Sequence, residues 1–418
     1  MSSALPSYEQ AATLVASYAA RLARLRPSLP AERVALVAAT GRVLARPLCA
    51  DRDQPPFTRS TRDGFACRAA EASAHAFLPV AGATQAGEAP SGLLPPAAAW
   101  EIMTGAPVPA GADAVVMIEH VEVAGGRVQL LPSRKIKSGE NIVAQGAQAR
   151  AGDELLPAGT AITSAQIALA AACGCAALDV FPRPRVAILT TGDELVPVES
   201  EPAPGQIRNS NAPMLAALVA AAGGEPWVLP AAADNAAALD RSLAEAAQAD
   251  MLLISGGVSA GKFDLVEPAL ARIGAHFHFT GVRIQPGKPL VFGELPRGRG
   301  RAVPFFGLPG NPVSSAVTFV LFAAPVLATL AHKLEGGPRF ALARLAATTD
   351  RHTKPGLTRF LPASCTFGAT AGELPEVALV PWQGSGDLAA LARSNCFLVI
   401  PEGEASLSAG EIVRILLF

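Results

Sequence analysis

Three short segments hold the residues best suited to chemistry: Ser255-Gly256-Gly257-Val258-Ser259-Ala260-Gly261, Gln285-Pro286-Gly287-Lys288-Pro289 and Gly307-Leu308-Pro309-Gly310-Asn311-Pro312-Val313-Ser314. Each joins an apolar run (Met251 to Ile254, Leu290 to Phe292, Val303 to Phe306) to a turn of small residues. Apolar runs of that length bounded by Gly and Pro read as buried strands. Glycine lets a backbone approach a ligand closely, and the free N–H groups of such turns bind anionic oxygens. One glycine-rich loop is weak evidence. Three of them within about sixty residues, with a lysine among them, predict a phosphate- or oxyanion-binding site.

The elements that must position these turns follow from the pattern around them. Arg185 to Thr190 opens a βα alternation, with the strand Val186–Leu189 leading into Thr191-Gly192-Asp193. Helices are predicted over 210–222 and 236–247, and strands over 227–229, 251–254, 276–282, 290–292 and 303–306. Such alternation predicts an open parallel sheet with helices on both faces, which binds ligands at the carboxyl ends of its strands. Residues 7–46 read as helical, with Leu14, Tyr18, Leu22 and Leu25 at helical spacing, and 161–178 as a second Ala-rich helix. Between them, Pro55 to Gly146 is a run of short Val-rich stretches broken by Gly and Pro, an all-β texture. That stretch reads as a domain inserted into a helical one. Arg339 to Phe418 reads as a small β domain.

Composition sets the limits. At 418 residues the chain is long enough for several domains, and its net charge of −1 offers no electrostatic case for nucleic acid or an anionic membrane. Residues 1–10 lack a signal-peptide pattern. Val313 to Ala331 is long and apolar enough to raise a membrane span. It is interrupted by Ser314, Ser315, Thr318 and Thr329, however, and reads as a buried helix. The six cysteines (49, 67, 173, 175, 365 and 396) lack the Cys-x-x-Cys spacing of a metal site, so a reducing cytoplasmic setting is expected. His276 and His278 alternate on a predicted strand, but the sequence shows no third ligand beside them, which argues against zinc.

Taken together, the segments STRDGFA (60–66), IMTGAPVP (102–109), TTGDEL (190–195), IRNSN (207–211), SGGVSAGKFD (255–264), QPGKP (285–289) and GLPGNPVS (307–314) resemble the molybdopterin molybdenumtransferase (MoeA) family, to which the gephyrin E domain is related. They occur in family order across essentially the whole chain. The resemblance implies a multidomain α/β plus β fold: a split helical domain (1–49 and 143–181), an inserted β-rich domain (50–142), a molybdopterin-binding open α/β sheet domain (182–331) and a C-terminal β-barrel (332–418). It implies a homodimer whose active cleft combines the inserted domain of one subunit with the α/β and C-terminal domains of the other. The implied reaction converts adenylylated molybdopterin and molybdate to the molybdenum cofactor, releasing AMP with Mg²⁺ taking part. A molybdopterin adenylyltransferase or a recipient molybdoenzyme is the implied protein partner.

The same resemblance assigns site residues. Asp63, Thr104, Glu194 and Asp264 match catalytic positions, with Asp63, Glu194 and Asp264 as metal ligands. Thr191, Gly192, Asp193, Asn209, Ser255, Gly256, Gly257, Ser259, Lys288, Pro309, Asn311, Pro312, Ser314, Ser385 and Arg359 are the expected binding residues. Each has a plainer reading beside it: Asp63 as a turn aspartate before Gly64, Thr104 as a turn threonine, Asp193 and Glu194 as carboxylates at a helix N-terminus. Four positions depart from the family pattern. Arg62 stands beside Asp63, Gln148 replaces an aspartate, Gln285 replaces a basic residue, and Pro362 stands where an arginine is usual. Arg62 is expected to pair with Asp63 or to contact substrate phosphate, and Arg359 or Arg283 to restore the lost positive charge. Two other readings stay open: a non-catalytic molybdopterin-binding carrier or scaffold, and a molybdopterin adenylyltransferase.

Overall fold

A computed structural model of the chain describes residues 5–25, 30–74, 76–89, 92–257, 265–298, 301–333, 336–349, 356–366, 368, 372–404 and 406–418. Helix α1 (Tyr8–Leu25) starts at a reciprocal cap, in which the Ser7 backbone N–H donates to Gln10 Oε1 and the Gln10 N–H to Ser7 Oγ. The helix is shorter than the predicted 7–46. Pro27 and Pro30 each lack the N–H that a helix needs, and Glu32–Ala35 is a strand antiparallel to Ala177–Val180. The predicted helix over 161–178 shortens in the same way to α3 (Ser164–Ala172), which ends before the left-handed Gly174. The region around α3 also holds a second two-stranded ladder, Leu48–Cys49 with Glu154–Leu156.

The inserted region forms a six-stranded sheet from β1 (Gly64–Cys67), β2 (Leu78–Thr84), β3 (Ala99–Ile102), β4 (Ala114–Met117), β5 (Val121–Ala124) and β6 (Arg127–Leu130), in the order β4-β1-β3-β2-β6-β5. A short helix α2 (Ala69–Ser73) follows β1. Alternation along β1 sends Phe65 and Cys67 into one apolar cluster and Ala66 into another on the opposite face.

The central sheet contains β7 (Arg185–Thr190), β8 (Glu225–Val228), β9 (Met251–Ser255), β10 (His276–Thr280), β11 (Val291–Arg297) and β12 (Arg301–Leu308), in the order β8-β7-β9-β12-β11-β10. The sheet is mixed rather than all parallel as predicted: β8, β7, β9, β12 and β10 point the same way, and only β11, antiparallel to both β12 and β10, is reversed. Only the short turn Gly281–Leu290 separates β10 from β11, and so short a link gives a hairpin rather than a crossover. Along β7, Val186 and Ile188 face one core, and Ala187 and Leu189 the other. Burial on both faces explains why these strands read as unbroken apolar runs. One face is covered by α1, α4 (Asn211–Ala222), α7 (Pro312–Thr318) and α8 (Ala324–Leu330), the other by α5 (Ala236–Ala246) and α6 (Val266–Arg272). The apolar stretch Pro312–Leu330 is 72% buried, as a core helix is.

Strands β13 (Arg339–Leu345), β14 (Thr358–Thr366), β15 (Glu376–Leu379), β16 (Cys396–Ile400) and β17 (Ile412–Leu417) close on themselves, because β14 pairs with both β15 and β16. The result is a five-stranded barrel. The segment Ile284–Gln285 pairs in parallel with its β14, which ties the barrel to the central sheet.

Candidate active-site cleft

Register places the predicted turns together. Thr190 pairs with Ser255, Ser255 with Leu308, and Thr280 with Val291 beside Gly307, so the turns after β7, β9 and β12 and the β10–β11 turn share one sheet edge. Two adjoining cavities open there, of about 800 and 760 Å³. Pro289, Pro309 and Asn311 line both and form the ridge between them.

The larger cavity holds Thr191, Gly192, Glu194, Asn209, Ser255, Gly256, Gly257 and Pro312. Space rather than habit selects its glycines. A Cβ on Gly256 would lie 2.5 Å from the Thr191 carbonyl oxygen, and one on Gly257 2.8 Å from Thr191 Oγ1, with φ of 97° and 60°. Among the described residues, Thr191 Oγ1 and Asn211 Oδ1 are buried without a hydrogen-bond partner, so this wall keeps one donor-acceptor and one acceptor for a guest. The two asparagines of the Ile207–Asn211 segment therefore differ. Asn209 is committed internally, donating to Thr190 Oγ1 at 2.9 Å and accepting from the Ala212 N–H at 3.1 Å. Asn211 donates to Ser255 Oγ and to the Gly310 carbonyl, leaving its oxygen free. The sequence marks the first as a binding residue and not the second, because Asn209 just before α4 and Asn211 at its first position look alike along the chain.

A third carboxylate was also missed. The Asp234 N–H donates to Asp193 Oδ1 at 3.0 Å, and Asp234 lines the same cavity as Glu194. Desolvation pushes the Asp234 carboxyl above its ordinary value, and the neighbouring Asp193 and Glu194 charges add to the rise. No ion pair engages any of the three among the described residues. Asp234 lies in the turn after β8, where the isolated bridge Thr191–Ala232 folds the chain back over β7. A lone Asp-Asn before a helix reads only as a cap.

The smaller cavity is basic. It is lined by Lys288, exposed and without an ion pair among the described residues, and by Arg359, only 5% exposed, together with Gln285, Ser314 and Ser385. Asn311 Nδ2 donates to Ser385 Oγ at 2.9 Å, and the Val313 N–H to the Ser385 carbonyl, so barrel and central sheet meet on this wall. Of the two arginines expected to restore charge, Arg359 lines the cavity, while Arg283 is held by Glu402 at 2.9 Å and does not. Pro312 occupies the first turn of α7.

Asp63 and Thr104 lie in turns at the edge of the inserted sheet, just before β1 and just after β3, and neither cavity reaches them. Asp63 Oδ1 accepts from the Thr104 N–H at 2.6 Å and from Thr104 Oγ1 at 2.8 Å. The backbone bond, then the hydroxyl, holds the Asp63 carboxyl below its ordinary range. The expected Arg62–Asp63 pair does not form: Arg62 Nη1 donates to the Thr61 carbonyl at 3.3 Å. Thr104 likewise turns its hydroxyl to Asp63. Ser259 and Asp264 lie outside the described residues.

Three family models match the chain: MoeA N-terminal region (domain I and II) over 7–174, "Probable molybdopterin binding domain" over 187–329, and MoeA C-terminal region (domain IV) over 344–418. Curated relatives called molybdopterin molybdenumtransferase include one from a Nostoc species, 38% identical over 92% of this chain and 88% of the relative, and one from Bacillus subtilis, 36% identical over 92% and 89%. The solved structure of a molybdopterin biosynthesis MoeA protein from Pyrococcus horikoshii matches with TM-score 0.80 at 28% identity, covering 99% of this chain and 100% of that one.

Proposed function

The chain belongs to the molybdopterin molybdenumtransferase (MoeA) family of molybdenum cofactor biosynthesis transferases, and from that premise we propose that it inserts molybdate into adenylylated molybdopterin, with Mg²⁺-dependent release of AMP. The observation that carries the proposal is the double cavity, whose halves differ in charge. A dianionic oxyanion and a phosphoanhydride both need cations and N–H donors, which the Lys288–Arg359 side supplies as a point charge and a planar fork. The Gly256 and Gly257 turn adds close backbone approach, and Thr191 and Asn211 supply the unpaired groups that a polar guest would satisfy. Ser255 works at one remove, holding Asn211 in place.

Asp193, Glu194 and Asp234 form a set of oxygen donors without a cationic partner among the described residues, which fits a hard divalent ion such as Mg²⁺. Bound there, the ion would neutralise charge on the phosphoanhydride. Glu194 and Asp234 would hold it, with Asp193 accepting from the Asp234 backbone N–H. Asp63, kept ionised by Thr104, is a further carboxylate for the same reaction. Because the two cavities lack Asp63, the proposal includes a homodimer in which the inserted region of one copy closes the cleft of the other. A cytoplasmic setting belongs to the same reading, in keeping with six unpaired thiols. So does hand-over from an adenylyltransferase or to a recipient molybdoenzyme.

The test is AMP release from adenylylated molybdopterin, with and without molybdate and Mg²⁺, for the wild type and Glu194→Ala. Release that requires molybdate and is lost in the variant supports the transferase. Tight binding without release would replace it by the carrier reading, and ATP consumption by the adenylyltransferase reading. Mixing Asp63→Ala with Glu194→Ala subunits tests the shared cleft: exchange should restore about a quarter of the sites, and no recovery would mean that each subunit acts alone.

A further inference from the structure

We infer that His276, His278 and Glu294 form a binding site for a divalent transition-metal ion of the zinc class, separate from the cleft. The His276 and His278 rings lie 4.9 Å apart on β10, where the register shifts between Phe277 and Phe279, and pairing sets Glu294 on β11 opposite His276. One donor atom from each side chain lies within 4.8 Å of the other two. Donors around a tetrahedral Zn²⁺ stand about 3.3 Å apart, so modest side-chain rotations would close the set. Two imidazoles and one carboxylate suit a borderline ion and not Mg²⁺ or Ca²⁺.

Two independent features point to a cation here. His278 Nε2 is buried with no hydrogen-bond partner among the described residues, an atom that ligation would satisfy. Glu294 already attracts positive charge, since Arg21 of α1 reaches its Oε2 at 2.7 Å. That arginine is a replaceable occupant, because its side chain is half exposed and can swing to solvent while Glu294 is 19% exposed. His276 is exposed and opens the site to entering ions. The Tyr18 ring packs against His278 at 5.3 Å and against Phe292 at 5.1 Å, so His278 is already oriented by a surrounding shell. The site lies at the far end of β10 from the cleft, because Thr280, not His276, pairs beside the cleft turn. A bound ion would take over Glu294 from Arg21 and alter the tie between α1 and the edge of the sheet.

The experiment is equilibrium dialysis of the chelator-treated full-length protein against ZnCl₂, with metal counted per chain and Co²⁺ absorption reporting ligand geometry. The wild type should bind an equivalent that His276→Ala, a surface change expected to leave the fold intact, and His278→Ala both weaken at least about tenfold. Arg21→Met should tighten binding, because it removes the competing cation without removing a ligand. A folded His276→Ala protein that keeps the wild-type zinc equivalents and affinity would overturn the site, as would an Arg21→Met protein that binds zinc no more tightly.

Discussion

Thr104 donates two hydrogen bonds to a single oxygen of Asp63, from its backbone N–H at 2.6 Å and from its hydroxyl at 2.8 Å, across 41 residues of sequence. Both bonds favour the carboxylate over the acid, and the backbone bond is the larger influence. Thr104→Val keeps that bond and removes only the hydroxyl. NMR titration should find the Asp63 pKa raised by this substitution yet still below the ordinary value. A depressed carboxyl contributes stability that is complete above its unfolded pKa of 3.8 and lost as pH falls through the folded one. The Thr104→Val protein should therefore differ less from the wild type in acid than at neutral pH. An unchanged Asp63 titration would show that the hydroxyl has no part in holding it.

Gly64, next to Asp63, has no room for a side chain. A Cβ there would sit 1.9 Å from the Val116 carbonyl oxygen on the neighbouring strand β4. Gly64→Ala must push β1 and β4 apart, at a cost of about 3 kcal/mol. Denaturant unfolding should show that loss, with Asp63 displaced along with the strand. A cost below 1 kcal/mol on the same scale would mean that the ladder shifts without penalty.

The Asp234 carboxyl is raised by desolvation and by Asp193 and Glu194, so its charged form is disfavoured in the folded protein. Folding binds the proton more tightly than the unfolded chain does, and stability falls as pH rises from 3.8 through the folded pKa. Asp234→Asn should raise neutral-pH stability slightly, by roughly a few tenths of a kcal/mol in view of its exposure, as denaturant unfolding would show. The gain should vanish below the unfolded pKa. Under the proposed function the same change should lower Mg²⁺-dependent AMP release. A variant that is neither more stable nor less active would remove Asp234 from the site.

Tyr8 at the start of α1 joins two bodies, with its ring 6.1 Å from Phe322 beneath the central sheet and 5.3 Å from Phe360 in the barrel. It is 8% exposed. Tyr8→Ala should cost about 3–5 kcal/mol, as large aromatic truncations do. Calorimetry should show that loss and, if the ring couples the two bodies, a split or broadened transition. A loss under 1 kcal/mol would place the coupling elsewhere.

Some of this architecture is legible locally. The strands of the central sheet read directly as apolar runs because both of their faces are buried. Gly256, Gly257 and Lys288 announce an anion site because glycine and a lone cation in tight turns have few other uses. Helix ends were less legible: the periodicity of α1 continues past Leu25, and only the two prolines mark the stop. Asn209 and Asn211 look alike in sequence, and hydrogen-bond partners on β7, β9 and the Gly310 turn separate them.

By itself, the sequence determined the family, through the resemblance of its motifs, and the apolar strands and small-residue turns, through local composition and periodicity, which the chain carries at each position. Tertiary structure alone decided which distant side chains meet. The antiparallel return of β11 brings Lys288 to the edge shared by Ser255 and Asn311. The barrel adds Arg359 and Ser385 from beyond. The same hairpin sets Glu294 against His276, supplying the third ligand that reading along the chain could not find. Strand register is settled by pairing and core packing summed over whole elements, and a one-residue slip would exchange every one of these neighbours.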